Sequence, residues 1–342
     1  MNPLAPLGKV YGRVMDLRNR LYDREFLSSS FLPGTTYSVG NLTTGGTGKT
    51  PLVRYISQIL LDRGEKVCIL SRGYGRKSPT QRVLVSDGDD LLVDAATGGD
   101  EPVELALQLG ARAVIVSDSD RISAANWASE KFGVTCFILD DGFQHRKVKR
   151  DVDIVCIDAT DPCGNGRILP AGSLRESFKG LRRASAIVIT RSELSSDLEG
   201  LRARLRARNH DAPLFSCYNK LRGISALDDF LSSISDGVSS EISSRRFFAF
   251  TGTGNPAYFF ESLRRWNINV IGSRAFRDHH RYGEETMRTV EVEASKAGAD
   301  LLITTAKDAV KLSGPKTPLP CFVALTDSVI DDEKRFRDLI TS

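Results

Sequence analysis

Cysteine is scarce and never paired in the chain. None of Cys68, Cys136, Cys156, Cys163, Cys217 and Cys321 falls in a Cys-x-x-Cys unit, which argues against a disulfide framework or a thiolate metal site. Cys68, Cys136 and Cys156 lie inside apolar, strand-like runs and read as buried, reduced thiols. Histidine is rarer still: His145, His210, His279 and His280 are the whole complement. No apolar run approaches the length of a membrane-spanning helix. The N-terminus shows no apolar stretch followed by a small-residue cleavage site, so secretion is not expected. A strong charge of one sign is also missing: 47 basic residues face 43 acidic ones, for a net +4, too mild a balance to point to nucleic acid. With 342 residues, of which 41% are hydrophobic and 26% charged, the chain is a globular one long enough for two domains.

The stretch Val39-Gly40-Asn41-Leu42-Thr43-Thr44-Gly45-Gly46-Thr47-Gly48-Lys49-Thr50 organises the rest. An apolar run at 36–39 predicts a strand, and apolar spacing over 52–61 predicts a helix. Strand, glycine-rich turn, Gly-Lys-Thr and helix is the order of a phosphate-binding loop. Thr43 to Thr50 are therefore the candidate ATP-binding residues: backbone N–H groups curl around phosphate oxygens, Lys49 reaches the β- and γ-phosphates, and Thr50 offers its hydroxyl to Mg²⁺. The full pattern asks for glycine where Thr43 stands, and some ATPases of this type carry an extra lysine where Thr44 stands.

Further strands end in polar residues. The strand at 66–71 runs into Arg72-Gly73-Tyr74-Gly75-Arg76, a loop suited either to an anionic or sugar ligand or to ordinary solvation. Asp100 and Glu101 open a helix at 103–109, where carboxylates favour the helix start whether or not they also serve as a base or a metal ligand. After a strand at 111–117, the strand at 134–139 ends in Asp140-Asp141-Gly142, which is how a metal-binding carboxylate reaches a phosphate loop. Strands at 151–158 and 186–190 follow. Strands alternating with helices predict an α/β fold with mostly parallel sheets flanked by helices. A Ser- and Asp-rich stretch, 232–244, and a second α/β unit of strands at 246–250, 269–271 and 300–304 place a domain boundary near residue 215. The expected organisation is an N-terminal helix over 1–25, a nucleotide-binding domain over 26–215 and a smaller domain over 216–342.

The N-terminal helix is amphipathic. Leu7, Val10, Tyr11, Val14, Leu21 and Tyr22 share one face, and Lys9, Arg13, Arg20 and Arg24 lie opposite. This pattern fits a helix lying in a membrane interface or one packed on its own domain.

Several strings, taken in order, resemble the tetraacyldisaccharide 4′-kinase family. They are Gly46-Thr47-Gly48-Lys49-Thr50-Pro51, Ser71-Arg72-Gly73-Tyr74-Gly75-Arg76, Gly99-Asp100-Glu101-Pro102, Asp140-Asp141-Gly142-Phe143-Gln144-His145, Leu169-Pro170-Ala171-Gly172-Ser173-Leu174-Arg175-Glu176, Phe276-x-Asp278-His279 and Thr304-Thr305-Ala306-Lys307-Asp308. The resemblance implies a two-lobed P-loop kinase with a short two-stranded linker and the active site in the cleft. It also implies ATP and Mg²⁺ as cofactors and transfer of phosphate to the 4′-hydroxyl of an acylated disaccharide 1-phosphate. It implies a peripheral position on the cytoplasmic face of the inner membrane, held through the N-terminal helix, with no nucleic acid and no obligatory protein partner. By the same resemblance Asp100 and His279 form the catalytic pair, and Thr50, Glu101, Asp140 and Asp141 hold the metal. Arg72, Tyr74, Arg121, His145 and Arg175 contact substrate or phosphate. Three rivals stand beside this reading: a P-loop kinase of a soluble acceptor, a nucleotide-dependent switch acting on a membrane partner, and a catalytically silent relative, against which Lys49, Thr50, Asp100, Asp141 and His279 all speak.

Overall fold

The computed structural model describes residues 3–232, 244–312 and 319–342; the Ser- and Asp-rich stretch falls almost wholly outside them. Twelve strands are assigned among the described residues: β1 (Thr35–Asn41), β2 (Val67–Ser71), β3 (Val83–Asp87), β4 (Val114–Ser117), β5 (Cys136–Asp140), β6 (Val152–Asp158), β7 (Ala186–Thr190), β8 (Leu214–Ala226), β9 (Phe247–Thr251), β10 (Val270–Ala275), β11 (Leu301–Thr305) and β12 (Cys321–Ile330). Of these, β3 was not foreseen, and β8 and β12 were expected only as linker strands without bounds. The chain forms two compact units that interleave in sequence. Unit 1 takes Met1–Arg72, Ala113–Asn219 and Ser328–Ser342, and unit 2 takes Gly73–Arg112 and Lys220–Asp327. Where the sequence suggested one boundary near residue 215, the chain crosses between units at four points, two of them inside β8 and β12. Residues 73–112 join unit 2 because their helix Asp100–Gln108 packs on the helix Ala306–Ala309.

Unit 1 is a parallel sheet in the order β7-β6-β1-β5-β2-β4, and Leu214–Cys217 of β8 extend it beside β7. Its strands are buried along nearly their whole length, so they are apolar without alternation. β1 lies between β5 and β6, in register Val39↔Asp140 and Asn41↔Cys156. All strands point the same way. The carboxyl ends of β1, β5, β6 and β7, which lead to Lys49, Asp141, Asp158 and Arg191, therefore lie along one edge, where ligands of open α/β sheets bind. The helix Lys49–Asp62 packs against the helix Glu333–Thr341, with the Tyr55 and Phe336 rings 6.0 Å apart.

The N-terminal helix Ala5–Asp23 is anchored to unit 1 by polar contacts. Arg18 donates to the Gln144 carbonyl (2.6 Å), Asn19 to Glu176 (2.8 Å), and Ser177 to Asp16 (3.0 Å). Gly8 and Gly12 seat it on the 168–171 loop: a Cβ on Gly8 would come within 2.8 Å of Ala171. The opposite face stays in solvent, with Leu7, Val10, Val14 and Leu17 more than half exposed.

Unit 2 is a parallel sheet in the order β10-β9-β11-β12. Its core gathers Phe247, Ala249, Leu263, Ile268 and Ile303. The helices Pro256–Arg265 and Glu284–Ala297 contact this sheet.

Candidate active site

The phosphate loop joins β1 to the helix Lys49–Asp62. Its left-handed positions are Gly45 (φ 104°) and Gly48 (φ 77°), where a Cβ would be strained. Thr43, standing where the common pattern has glycine, is not left-handed. It makes an antiparallel bridge with Leu174 instead, and the Thr44 N–H donates to Ser173 O at 2.7 Å. The departure from the pattern therefore carries no backbone strain.

Asp141, just past the end of β5, meets two cations. Lys49 Nζ lies 3.4 Å from its Oδ1, and Arg175 donates to Oδ2 at 2.6 Å. Partial burial would raise this carboxyl, but the Lys49 and Arg175 charges outweigh burial and hold it down at about 2. Asp140 is buried, and Ser71 Oγ donates to its Oδ2 at 3.2 Å. Arg121 is 2% exposed and donates to the Asp140 carbonyl at 3.4 Å. Burial and the like charge of Arg72 lower its pKa, against the opposing pull of Asp140 and Asp141.

His145 belongs to the same cationic surroundings. Burial, then the charges of Arg121, Arg150 and Arg72, push it down to about 4. An unfolded histidine titrates near 6.5, so between about pH 6.5 and 4 the unfolded chain binds the extra proton and stability falls as the pH drops, by up to about 3 kcal/mol. His145→Gln is expected to remove most of that loss. Urea unfolding of both proteins at pH 7 and pH 4.5 tests this, and equal losses would mean that His145 is not the source.

In unit 2, Asp100 opens the helix Asp100–Gln108, and Gly99 before it is left-handed (φ 100°). A Cβ on Gly99 would lie 2.9 Å from the Gly73 Cα. Asp100 Oδ2 lies 3.0 Å from His279 Nδ1. Lys307 Nζ lies 3.5 Å from His279 Nε2. An ammonium can only donate, so Nε2 is the acceptor and Nδ1 carries the proton that is given to Asp100. Lys307 also contacts Glu101 (3.1 Å) and Asp278 (3.3 Å). Burial would lower the Lys307 pKa, but these carboxylates outweigh it and the net shift is upward. The backbone behind His279 is tied down by hydrogen bonds. Buried Asp308 accepts from Thr251, Thr305, Lys311 and the Gly252 N–H, and the Gly252 carbonyl accepts from the His279 N–H at 3.1 Å. Of the adjacent histidines only His279 meets Asp100. His280 stacks on Phe276, centroids 4.5 Å apart. Tyr74 is largely exposed, with its ring 4.9 Å from that of His279.

A sequence profile described as LpxK, tetraacyldisaccharide-1-P 4′-kinase, matches residues 2–342. The chain belongs to the tetraacyldisaccharide 4′-kinase family. Among curated members, that of Desulfotalea psychrophila is 38% identical over 337 residues, covering 98% of this chain and 94% of that protein. The kinase of Geobacter metallireducens is 39% identical over 313 residues, covering 91% and 88%. A crystal structure of LpxK from Aquifex aeolicus in complex with ATP matches with a TM-score of 0.80 and 33% identity, covering 99% of this chain and 97% of that one.

Tetraacyldisaccharide 4′-kinase chemistry uses ATP, and the donors at the unit 1 site fit Mg²⁺. Thr50, Asp140 and Asp141 offer hard oxygens only, and Ser71 orients one carboxylate. Among the described residues no group of three or more His, Cys, Asp or Glu side chains could hold a metal ion. The Glu101 carboxylate lies 3.1 Å from Lys307 Nζ. The structure brings Lys49, Asp141 and Arg175 together, and separately Asp100, His279 and Tyr74. The roles of Lys307, Asp308 and Arg191 were missed. A Lys-Asp pair just past a strand was the available signal for the first two; a lone arginine after β7 gave none for the third.

Proposed function

We propose that this chain is the ATP-dependent kinase of the 4′-hydroxyl of tetraacyldisaccharide 1-phosphate. The Asp100 carboxylate held by His279 at 3.0 Å is the observation that carries this reading. A nucleotide switch has no need of a positioned base, whereas a sugar hydroxyl is a weak nucleophile and needs one. The loop 43–50 binds the triphosphate. Lys49 and Arg175 neutralise charge on the transferring group, with Asp141 between them. Mg²⁺, when bound through Thr50, Asp140 and Asp141, screens the phosphate oxygens. Oδ2 of Asp100 is occupied by His279, which leaves Oδ1 to take the acceptor proton as its oxygen bonds to the γ-phosphorus and the bond to ADP breaks. Arg72, Tyr74, Arg121 and His145 serve the acceptor or its phosphate. The test is transfer of labelled γ-phosphate to tetraacyldisaccharide 1-phosphate in mixed micelles. Labelled bisphosphate lipid is expected from the wild type. ATP hydrolysis without labelled lipid would overturn the acceptor.

The acceptor is an acylated lipid, and the helix Ala5–Asp23 supplies the means of reaching it. Among the described residues no helix is long and apolar enough to cross a membrane. The exposed row Leu7, Val10, Val14 and Leu17, flanked by exposed Lys9, Arg13, Arg20 and Arg24 and by Phe26 and Phe31, suits an anionic interface. Use of ATP, a cytoplasmic nucleotide, supports reading that interface as the cytoplasmic leaflet of the inner membrane. Val10→Glu with Val14→Glu is expected to lower binding to vesicles containing phosphatidylglycerol tenfold or more, since each buried aliphatic side chain is worth about 1.5–3 kcal/mol. Undiminished co-sedimentation would place the anchor elsewhere.

A further inference from the structure

The end of β7 and the residue after it grip the phosphate loop from behind. Thr190 Oγ1 donates to Thr47 O at 2.8 Å, and Arg191 donates to Gly46 O at 2.5 Å. The other arm of the Arg191 guanidinium pairs with Asp158 at the end of β6, and both groups are 8% exposed. The second Asp158 oxygen accepts from the Thr160 N–H and hydroxyl at 3.0 and 2.7 Å. Arg191 is itself left-handed, φ 54°, a conformation that costs a non-glycine residue of order 1 kcal/mol and persists where the surroundings enforce it.

Peptide geometry gives these contacts a consequence. A trans peptide is planar, and its C=O and the following N–H point in opposite directions. Holding the Gly46 carbonyl against Arg191 therefore aims the Thr47 N–H the other way. Holding the Thr47 carbonyl against Thr190 does the same for the Gly48 N–H. We propose that Thr190, Arg191 and Asp158 are positioning residues for ATP: they lock two peptide planes of the phosphate loop so that successive N–H groups are already aimed at the triphosphate. Preorganised donors need no reorientation when the anion arrives. The inference rests on the phosphate loop binding ATP, but not on the identity of the acceptor.

The experiment is equilibrium binding of ATP–Mg²⁺ to the full-length protein by isothermal calorimetry, alongside separate KM values for ATP and lipid. Arg191→Met is expected to weaken ATP binding tenfold or more and to leave the KM for lipid within twofold. Arg191→Lys, which keeps one donor and the charge, should recover most of the loss. Thr190→Val removes one hydroxyl with little change of shape, and its expected effect is three- to tenfold on ATP affinity alone. This second variant decides the matter if Arg191→Met does not fold. ATP affinity within twofold of wild type in the folded variants, or equal losses toward ATP and lipid, would overturn the proposal. A wrong acceptor would appear as wild-type ATP binding without lipid phosphorylation, and would leave the comparison of ATP affinities intact.

Discussion

Asparagine in place of Asp100 is expected to cut phosphoryl transfer about 10²–10⁴-fold while ATP binding stays within twofold. Asparagine has nearly the same shape, and its carbonyl can still accept from His279 Nδ1, so the pocket set by Asp308, Gly252 and the His279 backbone should persist. It cannot take the acceptor proton. His279→Ala should cost less, about 10–10²-fold, because the carboxylate remains and only its orientation is lost. Single-turnover transfer of labelled phosphate to lipid in micelles separates the two. Asp100→Asn within threefold of wild type would remove Asp100 from the chemistry.

Lys49→Met is expected to abolish measurable transfer, with a loss of 10³-fold or more, as befits a cation on the migrating phosphoryl group. It should also act on Asp141, which would keep Arg175 alone as its counter-charge. Asp141 has a folded pKa depressed to about 2, so it contributes stability above the unfolded carboxyl pKa of about 3.9 that is lost as pH falls through about 2. At a carboxylate 35% exposed, solvent screening leaves that contribution at roughly 1–2 kcal/mol. Without Lys49 the folded pKa lies closer to the unfolded one, so Asp141 contributes less stability at neutral pH and less is lost in acid. Acid-unfolding midpoints of wild type and Lys49→Met, measured beside the transfer assay, check both effects. Transfer within tenfold of wild type would refute the phosphate role of Lys49.

The phosphate loop was legible because its chemistry is local: glycines, lysine and threonine within eight residues, between a strand and a helix. Asp141 was legible for a similar reason, as the end of a buried strand. Asp100 and His279 were not readable as a pair from pattern. They lie 179 residues apart, and Asp100 alone looks like any carboxylate at a helix start; only the family resemblance joined them. The interleaved units escaped because nothing marks the exits at Arg72 and Arg112, and because β8 and β12 each belong to both units. Burial along β8 breaks off between Tyr218 and Arg222, which blurs its apolar pattern.

The packing of the helix Glu333–Thr341 sets an order of events during synthesis. Phe336 and Ile340 are fully buried, and the Ile340 carbonyl accepts from Tyr37 on β1, the strand that leads into the phosphate loop. This helix begins some 280 residues after Thr50. At a usual translation pace of roughly 5–20 residues per second, the loop leaves the ribosome about 15–60 s before the helix that closes over its strand. Through that interval the nascent sheet lacks the apolar cover of Phe336 and Ile340.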